Sequence, residues 1–171
     1  MNTRYTYTDS PLGKILITCN DDGLSGIWYD QQKYYPQIQE SWRQDDSDTL
    51  LSTTASALQT YFNTGEAPAT PPLSLVGTDF QRSVWHKLLE VSAGVTITYG
   101  ELANRLGKPS AVRAVAAAVG RNPVSIIVPC HRIIGASGSS TGYAGGLDRK
   151  QHLLELEAKA AADDFTLQPV A

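Results

Sequence analysis

Three adjacent residues, Cys130-His131-Arg132, set a nucleophile, a candidate base and a cation side by side directly after Pro129. A thiol attacks as its thiolate, and an imidazole or a positive field beside it lowers its pKa. The apolar run Val124-Ser125-Ile126-Ile127-Val128 leads into them, so the cysteine stands where a buried segment meets polar chemistry. Neighbouring side chains often point apart, and adjacency alone does not make a catalytic pair. Taken singly, a cysteine in this setting packs as a small hydrophobe, and His131 reads as a hydrogen-bonded structural histidine. The remaining candidates for thiol or imidazole chemistry are Cys19, His86 and His152. Two cysteines form neither a disulfide scaffold nor a metal-ligand spacing, so no metal and no cofactor are expected.

The wider pattern moves these readings. Asn122-Pro123-Val124-Ser125-Ile126-Ile127-Val128-Pro129-Cys130-His131-Arg132-Ile133-Ile134-Gly135 resembles the active-site signature of the O6-alkylguanine-DNA alkyltransferases of bacterial type. The resemblance continues in Gly142-Tyr143-Ala144-Gly145-Gly146, in Phe80-Gln81-Arg82-Ser83-Val84-Trp85, in Thr98-Tyr99-Gly100 and in Ala111-Val112-Arg113-Ala114-Val115. These blocks span residues 78–158 in the family's order, whereas the N-terminal third matches in general shape only. The resemblance implies repair of double-stranded DNA by direct reversal. The alkyl group of O6-alkylguanine, and of O4-alkylthymine, passes irreversibly to Cys130, once per molecule and without a cofactor.

By the family's motifs Cys130 is the nucleophile, His131 the base acting through a water, Glu157 the residue that orients the histidine, and Asn122 a residue that orders the thiol network. Glu157 taken alone is a solvated helix charge, and Asn122 a turn residue before Pro123. An alkylated guanine oxygen lies inside the duplex stack, so the nucleotide must be rotated out, at a cost of a few kcal/mol. The resemblance gives Arg113 the part of filling the gap and Tyr99 that of crowding the target phosphate, with Gly100 and Lys108 also on the DNA side. Tyr143, Ala144 and Gly145 become walls of the pocket for the extruded base, the tyrosine hydroxyl offsetting charge on the leaving guanine. Some relatives have serine where this chain has Ala144, which removes one side-chain contact. Two other readings stay open. One is a non-catalytic alkyltransferase-like protein that binds lesions, although such relatives replace the cysteine that Cys130 retains. The other is a cysteine hydrolase, which leaves the helix-turn-helix described below unexplained.

The elements that must position these residues can be read from composition and periodicity. A chain of 171 residues with 42% hydrophobic and 18% charged residues is globular, and it has room for one or two small domains. No run approaches a membrane span and no signal-peptide pattern opens the chain, which makes a cytoplasmic monomer the expectation. A net charge of −3 looks wrong for a DNA partner, but the charge is segregated. Residues 1–79 hold 4 Lys/Arg against 10 Asp/Glu, residues 80–150 hold 9 against 3, and residues 151–171 hold 1 against 4. The basic stretch is the one that carries the motifs, as a local nucleic-acid footprint requires.

An α/β N-terminal domain, a small antiparallel sheet plus a helix, is expected over residues 1–65, with strands at Arg4–Thr8, Lys14–Cys19 and Leu24–Tyr29 and a helix from Ser47 to Phe62. Pro68, Pro71 and Pro72 make residues 66–77 a linker. Residues 78–171 form a mainly helical C-terminal domain. Thr78 and Gln81 offer a capping box, and helices at Tyr99–Leu106 and Ser110–Val119, joined through Gly107-Lys108-Pro109, make a helix-turn-helix. A last helix runs from Leu147 to Ala160, turns Leu153, Leu154 and Leu156 inward, and leaves a loose tail from Asp163 to Ala171.

Overall fold

The computed structural model describes residues 2–167. Strands β1 (Arg4–Thr8), β2 (Ile15–Asn20) and β3 (Gly23–Tyr29) form the expected antiparallel meander, with Ile15 opposite both Thr8 and Tyr29. A two-residue strand β4 (Arg43–Gln44), which carries no sequence signal of its own, joins the outer side of β1 in parallel, so the order is β3-β2-β1-β4 and the sheet is mixed. Helix α1 (Thr49–Thr64) packs on it. Asp48 caps this helix by accepting the Leu51 N–H, and it also holds the Arg4 guanidinium at 2.7 Å. Gly65 ends the helix in the left-handed conformation, φ 74°; a Cβ there would lie 2.7 Å from the Leu156 carbonyl oxygen. No other residue type allows α1 to end so close to the last helix.

Residues 66–77 contain no helix, as their prolines dictate, yet they do not hang free. Leu24 donates its N–H to the Pro72 carbonyl at 2.8 Å and its own carbonyl accepts from Ser74, so Leu73 bridges to β3. Further along the same strand, Ile27 donates to the Pro123 carbonyl at 2.9 Å and accepts from Ser125 at 3.2 Å. The apolar run before Cys130 is therefore stitched to the N-terminal sheet. A single hydrophobic core follows from this, with Ile27, Tyr61 and Leu58 in one cluster with Trp85, Val115 and Val128.

Helix α2 (Asp79–Leu88) begins with the Thr78–Gln81 capping box in full and buries Val84, Trp85 and Leu88. Strand β5 (Ile97–Thr98) leads into α3 (Tyr99–Arg105) and α4 (Val112–Gly120), the helix-turn-helix. Helix α4 turns Val115, Ala118 and Val119 into the core and leaves Val112, Arg113, Ala114 and Ala117 at the surface. After a single 3-10 turn at Cys130–Arg132 comes β6 (Ile133–Ile134), which pairs in parallel with β5 and so places the nucleophile at the root of α3. Helix α5 (Leu147–Leu167) is longer than its expected end at Ala160. The tail expected to be loose is helical as far as Leu167, because the stretch from Ala160 to Leu167 contains no glycine or proline to stop the helix. The rest of that tail, residues 168–171, lies outside the described residues. Among the described residues, no helix is long and apolar enough to cross a membrane.

The orientation of α4 depends on one buried polar contact, the Trp85 indole N–H donating to the Ala118 carbonyl at 2.8 Å. Trp85→Phe should lower stability by about 1–3 kcal/mol, through the lost bond and the smaller ring. Urea unfolding checks this, and an unchanged midpoint would show that α4 is held by packing alone.

Candidate active site

The site grows from the loop docked on β3. Asn122 is buried, and its side chain ties the loop together: its Oδ1 accepts the Val124 N–H at 3.0 Å and its Nδ2 donates to the Val128 carbonyl at 2.8 Å. The same Nδ2 donates to the Cys130 sulfur at 3.1 Å. Ile126, within the loop, has φ 73° although it is β-branched, a conformation costing about 1–3 kcal/mol. Its burial and the bonds around it hold that strain in place. Cys130 and His131 then lie on the 3-10 turn, both buried.

His131 points away from the thiol with one nitrogen and leaves the other unpaired. Its Nε2 meets Glu157 Oε1 at 2.8 Å, while Nδ1 is buried with no protein partner. Glu157 is 1% exposed, so the default of a solvated helix charge does not hold for it. Its Oε1 also accepts from Arg132 Nη2 at 2.8 Å and from the Tyr61 hydroxyl at 2.9 Å, and its Oε2 from Arg132 Nε at 3.0 Å and the Gly94 N–H at 3.4 Å. Burial opposes this charge, but the bonds to His131 and Arg132 outweigh it and hold the carboxyl far below the usual glutamate range. Burial lowers the His131 pKa despite the pull of Glu157, so the ring is neutral near pH 7.

The thiol differs from the activated group that its neighbours suggest in sequence. Burial pushes Cys130 up to about 11, and the Asn122 bond and the Lys150 charge offset only part of that. No hydrogen bond joins its sulfur to the imidazole. The resting pair is a thiol and a neutral histidine.

Of the residues expected to form the base pocket, Tyr143 lies near enough to Cys130 for their charges to interact. Tyr143 is buried, its hydroxyl has no protein partner, and burial raises its pKa well above the ordinary phenol value, so it keeps its proton. At Gly145 a Cβ would stand 2.5 Å from the Tyr143 ring, which explains the glycine. Ala144 follows Tyr143 beside a cavity of about 250 Å³ that also borders α4 at Ala116, Ala117 and Gly120. Tyr99 opens α3, half-buried, with its hydroxyl donating to the Thr141 carbonyl at 3.0 Å. At Gly100 a Cβ would find only Thr98 Oγ1, at 3.8 Å, so packing within the chain does not demand the glycine. Lys108 lies in the turn before α4, with its ammonium 5.5 Å from the centre of the Phe80 ring. Arg113 is exposed on α4 and is held by no carboxylate among the described residues.

Comparison with known proteins agrees with this geometry. Residues 3–75 match the ribonuclease-like domain of 6-O-methylguanine DNA methyltransferase, and residues 79–159 match its DNA binding domain. The methylated-DNA–protein-cysteine methyltransferase of Haemophilus influenzae is 43% identical over 155 residues, 90% of this chain and 85% of that protein. The chain belongs to the 6-O-methylguanine DNA methyltransferase family. The crystal structure of the O6-methylguanine methyltransferase of Mycobacterium tuberculosis superimposes with a TM-score of 0.84 at 42% identity, covering 96% of this chain and 98% of that one. A structure of OGT from the same organism in complex with DNA gives 0.83 at 41% identity, with the same coverage.

This family member also contains site residues that the sequence reading passed over. Lys150 is 1% exposed and donates to the carbonyls of Ile133, at 2.5 Å, and Thr141, at 3.0 Å. It precedes Leu153 by three residues and Glu157 by seven, so all three share one inward face of α5, a periodicity visible in sequence. Arg132 has its signal in the tetrad itself. Tyr61 has none, because its partner lies 96 residues away.

Two depressed groups of the site, His131 and Glu157, make stability depend on pH. Both titrate lower when folded than when unfolded, so each contributes stability that is complete above its unfolded pKa and is lost as pH falls. That loss begins below about 6.5 for His131 and below about 4.3 for Glu157. Glu157→Gln should cost about 3–5 kcal/mol at pH 7, by stranding buried Arg132. Its deficit against wild type should narrow as pH drops from about 5 to 3. A constant deficit in urea titrations across that range would show that the carboxylate is not ionised in the fold.

Proposed function

We infer that this protein repairs alkylated DNA by accepting the alkyl group on Cys130, and the observation that carries the assignment is the buried set Asn122–Cys130 and His131–Glu157. The reaction is that of a methylated-DNA–protein-cysteine methyltransferase, acting on alkylated bases in double-stranded DNA. The thiol gives its proton to His131 Nδ1, the one unpaired nitrogen of the ring, directly or across a solvent molecule. Sulfur attacks the alkyl carbon, the bond from carbon to guanine O6 breaks, and its electron pair stays on the base. The proton lost by the thiol returns to the guanine ring, so the products are neutral guanine and a thioether. Tyr143 donates a hydrogen bond to the leaving base. Its phenol is too weak an acid to be emptied, and a donor that keeps its proton stabilises charge throughout the step.

Glu157 holds His131 in the tautomer and orientation that leave Nδ1 as the acceptor. Asn122 donates to the sulfur and favours the charge that develops there. Outside the pocket, Arg113 replaces the extruded nucleotide in the stack, Tyr99 and Gly100 line the approach of the backbone, and Lys108 meets a phosphate. Small residues on the exposed face of α4, Ala114 and Ala117, let the helix lie close to the groove. Among the described residues nothing within reach of the product thioether could take the alkyl group back, and each molecule acts once. The setting we assign is the cytoplasm, on the DNA itself, as a monomer.

The acceptor is tested with O6-benzylguanine. Intact protein should gain one benzyl group, and Cys130→Ser should gain none and retain duplex binding. A benzyl group found on Cys19 would overturn the assignment. Burial and the neighbouring Asp48 push that thiol up to about 11 as well, and Arg4 offsets only part of that.

Nucleotide extrusion has its own test. Arg113→Ala should slow repair in duplex DNA by more than it slows reaction with the free base, and the gap should shrink when the lesion faces a mismatch that is easier to open. Equal slowing on both substrates would mean that Arg113 supports the fold.

A further inference from the structure

Four surface cations of the chain are neutralised by its own carboxylates: Arg43 by Asp45, Arg82 by Asp79, Lys87 by Glu90 and Arg105 by Glu101. Arg113 and Lys108, already assigned to DNA, have no such partner among the described residues. Neither do Lys33 and Arg121, which no role has yet absorbed. Residues 1–79 are strongly acidic, 4 Lys/Arg against 10 Asp/Glu. Of the lysines there that have no carboxylate partner among the described residues, Lys14 lies over Tyr7 alone, whereas Lys33 shares its ring with a second cation.

Lys33 and Arg121 are held against one exposed ring. The Arg121 guanidinium lies 3.9 Å from the centre of Tyr34, and the Lys33 ammonium 5.0 Å from it. Two like charges gathered on one aromatic without a carboxylate repel each other, and an anion between them removes that cost. A guanidinium stacked on a ring keeps its N–H edge free for the oxygens of a phosphate.

The loop that carries Lys33 and Tyr34 is built rather than slack. Gln31 and Tyr34 both adopt positive φ, 61° and 64°, which is costly for residues other than glycine and is found where surrounding bonds enforce it. The buried Gln32 side chain accepts the Tyr29 N–H at 2.8 Å and donates to the Lys33 carbonyl at 3.1 Å. The Lys33 N–H donates to the carbonyl of Ala144 at 3.1 Å, tying this N-terminal loop to the wall of the base pocket. The cavity of about 250 Å³ lies between Lys33 and Tyr34 on one side and the exposed face of α4 on the other.

We propose that Lys33, Tyr34 and Arg121 form a clamp for the DNA phosphate backbone, extending the contact surface from α4 onto the N-terminal unit. The clamp rests on the reading that the protein acts on DNA. A phosphodiester beyond the end of α4 enters between the two cations, with Tyr34 as the platform that presents Arg121. The sequence-independent grip then has two anchors, Lys108 at the start of α4 and the clamp at its end.

Counterion release measures this directly, because each cation that neutralises a phosphate adds about 0.9 to the slope of log affinity against log salt. Binding to an unmodified duplex is followed across a salt series for wild type, Lys33→Ala, Arg121→Ala and the double variant. The double variant should lose about 0.9–1.8 from the slope. Tyr34→Ala should weaken the Arg121 contribution, and Tyr34→Phe should preserve it. Reaction with free O6-benzylguanine, which has no phosphate, should fall by less than reaction with duplex. A wild-type slope in the double variant overturns the clamp alone. Equal loss on free base and duplex also overturns it, showing that the loop shapes the pocket. Salt-independent or absent binding by the wild-type protein overturns the DNA reading and the clamp together.

Discussion

The carboxylate of Glu157 is the constraint on which the rest of this molecule depends. It is an ionised group with almost no access to solvent, and such a charge survives burial only when every lone pair is used. Four donors use them: His131 and Arg132 from the 3-10 turn, Tyr61 from α1, and the Gly94 amide from the segment between α2 and β5. These partners come from both halves of the chain, so satisfying one charge brings α1, α5 and the nucleophile's turn to a common point. The bond that fixes the His131 ring is part of this network. Loss of any donor therefore loosens the fold and the catalytic geometry together.

The second feature of the site is a nucleophile kept switched off. A thiol pushed up by burial beside a neutral imidazole is unreactive toward solvent-borne oxidants, which attack thiolates. That suits a group that can be used only once. On the proposed mechanism, activation accompanies the arrival of the substrate, when a base in the pocket completes the ring of polar partners and the proton moves to His131. Cys19, the other buried thiol, sits against Asp48 and Arg4, and burial raises its pKa in the same way. The strained Ile126 belongs to the same design, since a loop held out of its relaxed conformation by β3 keeps Cys130 at a fixed depth.

The N-terminal unit is more than a support. Its sheet edge carries the loop that leads to Cys130, its helix supplies Tyr61, and its strained loop is bonded to Ala144, beside the cavity that borders α4. The charge asymmetry of the chain fits this division. The basic stretch, residues 80–150, is the one that carries α4, and the acidic excess lies in residues 1–79 and 151–171.

The sequence by itself determined the local elements and the chemical actors. Apolar runs between turn residues located the three main strands, the capping box at Thr78 and Gln81 located α2, and the Pro129-Cys130-His131-Arg132 tetrad marked a candidate nucleophile and base. These signals are legible because each arises from residues within a few positions of one another. Only the tertiary structure decided the rest. Strand β4 is two residues long and exists because β1 offers it an edge. The helical end of α5 persists where no stop residue intervenes, a continuation that exposed polar residues do not announce. Segment 66–77 looks like a free connector by composition and is docked on β3 by backbone bonds that no side-chain pattern encodes. Above all, the adjacency of Cys130 and His131 does not make them a pair: the fold sets the imidazole on Glu157, and burial leaves the thiol protonated. Burial and long-range partners set a pKa, and neither is a property of neighbours in sequence.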